Sequence, residues 1–166
     1  MKVSQILIFT ILTALLATGC KSKREKLGDA HLEQKNYKVA VQMYLNAEEK
    51  GDVSEEYPAN VSLALTGLMK EIAQRDPLSE AISNYTEEIP KYLEKVTDPT
   101  VIAHYGVTVA QITKLRITEG QFVPVLQGFK AISVAEKLME KLNINDAAFT
   151  TLVEETKSFY AQSVIS

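Results

Sequence analysis

The chain carries one cysteine, no tryptophan and two histidines in 166 residues, and each scarcity closes off a class of function. A lone thiol forms no internal disulfide and no multi-cysteine metal site, which excludes a disulfide-stapled fold and a zinc finger. His31 and His104 are distant in sequence, and neither has a second ligand at i+4, so no helical metal site is spelled out. There is no glycine-rich phosphate loop and no GxSxG turn. Glu87-Glu88 and Glu154-Glu155 are adjacent pairs, which point to different faces of a helix and serve to solvate it. The formal net charge of −3 argues against a nucleic-acid binder, which would show a clustered basic face. No catalytic residues, metal ligands or cofactor are expected, and a hydrolase is the least supported class.

The first twenty residues are rich in what the rest lacks. Lys2 precedes an apolar run from Ile6 to Ala17, interrupted only by Thr10 and Thr13. That run is shorter than the roughly 20 residues a helix needs to cross a bilayer. A cation, a short apolar run and small residues behind it describe a secretory signal peptide. Ala17-Thr18-Gly19-Cys20 resembles the lipobox of exported bacterial lipoproteins. The resemblance implies cleavage after residue 19, with lipid on the thiol and new amino terminus of Cys20. Lys21 stands where an aspartate would resemble the inner-membrane retention signal. The implied location is therefore the cell envelope: the periplasmic face of an outer membrane or, in a single-membrane bacterium, the outer face of the plasma membrane. Residues 20–26 would form a short tether whose Lys21, Lys23, Arg24 and Lys26 meet anionic headgroups. Several acyl chains hold a protein on a membrane for good, at about 0.8 kcal/mol per buried methylene.

Without residues 1–19 the chain keeps 17 Lys+Arg against 21 Asp+Glu, a formal −4, and residues 27–166 make one ordinary domain. Its periodicity is helical throughout. Tyr37, Ala40, Val41, Tyr44 and Ala47 fall at i, i+3, i+4, i+7 and i+10. Val61, Leu65, Leu68 and Ile72 continue in the same rhythm. Further stripes run through Leu78, Ile82, Tyr85, Ile89 and Leu93, and through Ile102, Tyr105, Val109 and Ile112. Asp76-Pro77 and Asp98-Pro99 each place a capping carboxylate before a proline at the first helical position. Gly51-Asp52, Glu119-Gly120-Gln121 and Asn143-Ile144-Asn145 are breaks, with Asn145 expected to cap the last helix. The pattern predicts an all-α fold with helices over 24–34, 37–50, 58–75, 77–96, 99–118, 123–142 and 146–163. Pro90 is expected to kink the fourth.

Residues 27–52 resemble one tetratricopeptide repeat. Leu27-Gly28 is the large-small pair of its first helix, Lys35-Asn36-Tyr37 the turn, and Ala40, Tyr44 and Ala47 the small-aromatic-small set of its second. Gly120, Phe122, Phe129 and Ala131 resemble part of another repeat, and Leu65-Gly67 part of a third. The resemblance implies hairpins stacked as a short right-handed solenoid, with the last helix as a cap. It also implies that Glu25, Asp29, Leu32, Glu33 and Asn36 line a concave partner-binding face, joined by Lys114, Ile117 and Thr118. The expected function is an envelope adaptor or scaffold that holds a protein partner, in outer-membrane, pilus or secretion assembly. The alternative is a carrier of a small or lipidic ligand in a cavity between the helices of 58–118.

Overall fold

The computed structural model describes residues 21–76, 81–120 and 122–165. The signal-like segment with Cys20, Pro77, Leu78 and Gln121 lie outside the described residues. Seven helices follow in order: α1 (Lys23–Glu33), α2 (Tyr37–Glu49), α3 (Tyr57–Arg75), α4 (Ala81–Leu93), α5 (Pro99–Thr118), α6 (Phe122–Lys141) and α7 (Ala147–Ile165). Their limits fall where local chemistry stops a helix. Asp98 accepts the backbone N–H of Thr100 at 2.8 Å and opens α5. Lys35, Gly51, Gly120 and Asn143 have φ between 52° and 69°, the left-handed turn that closes a helix and frees the chain to reverse.

Most helix limits fall within two residues of the sequence reading, and three differences bear on the local chemistry. The cap of α7 is Asp146, which accepts from Phe149 N at 2.7 Å, one residue after the expected Asn145. Helix α4 ends at Leu93, and Val96 N–H bonds back to Leu93 O at 3.0 Å. At the other end, α1 begins at Lys23, so most of the expected 20–26 tether is helix. Ser22 and Glu25 form a reciprocal capping box there, each satisfying an N–H that a helix start leaves open.

Successive helices pack antiparallel-like, most extensively α5 with α6, α1 with α2 and α3 with α4. Helix α2 lies against α3, α7 lies against α5, and α1, α3 and α5 meet side by side. Short helices hold in water only when a stripe is buried. Tyr44, Leu65, Met69, Ile102, Tyr105 and Ile132 are 0–1% exposed at these contacts. At about 25 cal/mol per Å² of apolar surface, each such side chain contributes roughly 1.5–3 kcal/mol.

Glycine sets how near the helices come. Gly28, Gly67 and Gly106 stand 39 residues apart on α1, α3 and α5. A methyl group at Gly28 would lie 2.7 Å from the Tyr44 ring, one at Gly67 would overlap Tyr37, and one at Gly106 would lie 2.9 Å from Met139 and Phe149. Tyr44 continues edge-on to Tyr57, and Tyr57 to Tyr92, with ring centres 6.2 and 6.0 Å apart. An aromatic ladder thus joins α2 and α3 to α4.

Candidate functional site

The acidic residues of α1 are the structural knot of the first three helices. Glu25 is 1% exposed and accepts the backbone N–H and hydroxyl of Ser54 at 3.0 and 2.7 Å. Asp29 accepts from the Tyr44 hydroxyl at 2.7 Å, Asn60 Nδ2 at 3.0 Å and Lys21 Nζ at 2.7 Å. Lys21 also pairs with Glu56 at 2.6 Å. These partners hold the Lys21 ammonium above its ordinary pKa, the Asp29 hydrogen bond first and the Glu56 bond second. Burial, and then the Asp29 hydrogen bond, push the Tyr44 hydroxyl well above the usual phenol range.

The remaining residues expected on the partner face are scattered. Leu32 packs against the core, while Glu33 and Asn36 are exposed near the end of α1. Lys114 pairs with Glu155 of α7 at 2.9 Å, Ile117 is buried at 7% exposure, and the exposed Thr118 donates to Leu115 O. The α1 set and the α5 set sit on helices that both pack on α3, so α3 stands between them. The feature near α1 with room for another chain is different: a groove of about 410 Å³ between the starts of α3 and α5. Asn60, Leu63 and Val101 line it, with Glu55, Glu56 and Asp98 on one side of the charge balance and Lys95 on the other.

A second polar centre escaped the sequence reading. Arg116 of α5 is 1% exposed. It donates from one terminal nitrogen to Ala73 O near the end of α3 at 2.8 Å, and from the other to Glu119 at 2.6 Å. Among the described residues its Nε has no partner. Arg116 lines a chamber of about 20 Å³ together with Met69, Val109, Thr113 and Gln127. The signal for its burial lay in the α5 stripe, because 109, 112 and 116 share one helical face. The chamber lies among α3, α4, α5 and α6, close to where a carrier's cavity was expected, but its volume admits about one water-sized atom.

Neither histidine stands in a cluster. His31 is half-buried on α1 and His104 is exposed on α5. Partial desolvation, then the nearby Lys70 charge, hold His104 below its ordinary pKa. Among the described residues no group of three or more His, Cys, Asp or Glu is placed to hold a metal ion. No described helix is long and apolar enough to cross a membrane.

Together these features define an all-α domain of seven packed helices whose buried polar groups tie one helix to the next. Comparison with known proteins adds no family: no protein-family model, no curated protein and no solved structure matches the chain.

Proposed function

We propose that the protein is a lipid-anchored adaptor of the bacterial cell envelope. In this reading Cys20 carries the lipid, and the seven helices form a short tetratricopeptide-like solenoid with α7 as its cap. The lipobox-like Ala17-Thr18-Gly19-Cys20 supports the anchor. The equal spacing of Gly28, Gly67 and Gly106 supports a helix-pair unit of 39 residues, longer than the about 34 of a tetratricopeptide repeat, since each marks a close approach on the first helix of a pair. The outer membrane is the proposed location, by the resemblance carried on Lys21.

The observation that carries the adaptor is the groove of about 410 Å³ between α3 and α5. It lies between two consecutive first helices, the inner face of such a stack, and its lining mixes polar and apolar surface. Glu55, Glu56 and Asp98 outnumber Lys95 at its rim. The partner is therefore a protein that presents a cationic stretch with an apolar side chain or two. The test is crosslinking in the native host, using tagged full-length protein, Cys20→Ala, and the double variant Glu55→Lys with Ala59→Lys. One envelope protein should be captured by the wild type, lost without the anchor and weakened by the groove variant at unchanged helicity. Undiminished capture by the groove variant would move the binding face elsewhere.

A further inference from the structure

A second opening lies between α4 and α6, a groove of about 330 Å³. Pro90, Ala131 and Val134 form its apolar wall, and the exposed pair Lys130–Glu87, 3.5 Å apart, spans it from helix to helix. Deeper in, Thr86 and Gln127 belong both to this groove and to the chamber at Arg116. The hydroxyl of Ser83 donates to Gln127 Oε1 and joins the two helices at this neck. Behind the neck stands the buried Arg116 with its unpartnered Nε–H. A buried charged donor left unmade is among the costlier defects a fold carries, and such a group calls for an account.

We propose that groove and chamber form one binding site for a small molecule with a short apolar body and a terminal uncharged carbonyl oxygen. The oxygen enters the chamber and accepts the Arg116 Nε–H, while the body lies along Pro90, Ala131 and Val134. Size decides the first point: about 20 Å³ holds one water-sized atom. The 330 Å³ outside falls at the lower end of small-molecule sites, roughly 300–1,000 Å³.

Hydrogen-bond inventory decides the second. Thr86 and Thr113 hydroxyls already donate to Ser83 O and Val109 O, and Gln127 Oε1 is taken by Ser83. The donors left over are the Arg116 Nε–H and the Gln127 amide N–H groups, which want an acceptor. Charge decides the third. Glu119 already balances the guanidinium at 2.6 Å, so a second carboxylate in the chamber would be a buried anion without a counter-charge. The site is independent of the adaptor reading and needs neither the anchor nor the α3–α5 groove.

The experiment is a titration of the full-length ¹⁵N-labelled protein, following the Arg116 Nε–Hε resonance, with 2-pentanone and pentanoate as probes. 2-Pentanone should move the resonance saturably and bind more tightly than pentanoate. Val134→Phe, which fills the groove and leaves Arg116 in place, should weaken that binding at least tenfold at unchanged helicity. Arg116→Met, read through the Gln127 side-chain amide resonances, should abolish it. A resonance indifferent to 2-pentanone, an equal response in Val134→Phe, or tighter binding of pentanoate would each overturn the proposal.

Discussion

Replacing Asp29 with alanine should unfold the protein more readily than replacing any exposed acid on α1. The carboxylate takes three donors from three different parts of the chain. Tyr44 is 0% exposed, so its hydroxyl would be left bare in the core, at about 1–3 kcal/mol. Asn60 is half-buried and can turn to water, which limits its share to about 0.5–1.5 kcal/mol. The Lys21 pair is 24% exposed on both sides and Lys21 keeps Glu56, so screening leaves it worth under about 1 kcal/mol. The expected loss is about 1.5–5.5 kcal/mol, or roughly 3–22 °C in Tm for a chain of this size.

Urea unfolding followed by helical circular dichroism measures the loss. Tyr44→Phe closes a double-mutant cycle. Because both substitutions remove one bond, their combined cost should fall roughly 1–2 kcal/mol short of the sum. A loss for Asp29→Ala below about 0.5 kcal/mol, or strict additivity in the cycle, would refute the claim that this knot holds α1 to α2 and α3.

Gly67→Ala should destabilise even though alanine favours a helix by about 1 kcal/mol. The added methyl meets the Tyr37 ring, and overpacking of about 1–3 kcal/mol reverses the sign; Tyr37→Leu in the same background should recover part of it. A net gain in urea midpoint for Gly67→Ala alone would show that the ring moves aside freely. Stability should also fall in alkali. The folded Lys21 pKa is raised, so its stabilisation is whole below the unfolded value near 10.5 and disappears as pH climbs through the folded one. Tyr92, raised to about 12 chiefly by burial, adds a loss of the same sign above pH 10, because the unfolded phenol ionises first. Lys21→Met should remove the lysine part alone, seen as a shallower decline in unfolding free energy between pH 9.5 and 11.5. Parallel curves for the two proteins would show that the clamp adds nothing.

The helices were legible because their causes are local. An apolar stripe repeats within one turn, and Gly51, Gly120 and Asn143 announce a left-handed reversal by residue type alone. The roles of the charged residues were not, because the groups that decide them lie far off in the chain. Glu25 reads as part of an open partner face until Ser54 is seen to donate to it across 29 residues; the Ser22-x-x-Glu25 spacing is the local signal that could have tied it down. Asp29 draws on Tyr44 and Asn60, 15 and 31 residues away. Arg116 had no reading in the sequence because its bond to Ala73 O spans 43 residues. The α3–α5 and α4–α6 grooves belong to pairs of helices, and no single helix contains either.

The clamp on Lys21 bears on how an anchored protein would search for what it binds. A free seven-residue leash would let a domain rise about 25 Å from its attachment and face any direction. With Ser22 buried as the cap of α1 and Lys21 paired to Asp29 and Glu56, two peptide links, about 7 Å, separate Cys20 from a residue fixed in the fold. In the adaptor reading, the domain then rides close to the bilayer in a narrow range of attitudes. Partners that present themselves at that height and angle meet a high effective concentration, and those that do not meet almost none. Selectivity would be set by the mounting as much as by the groove.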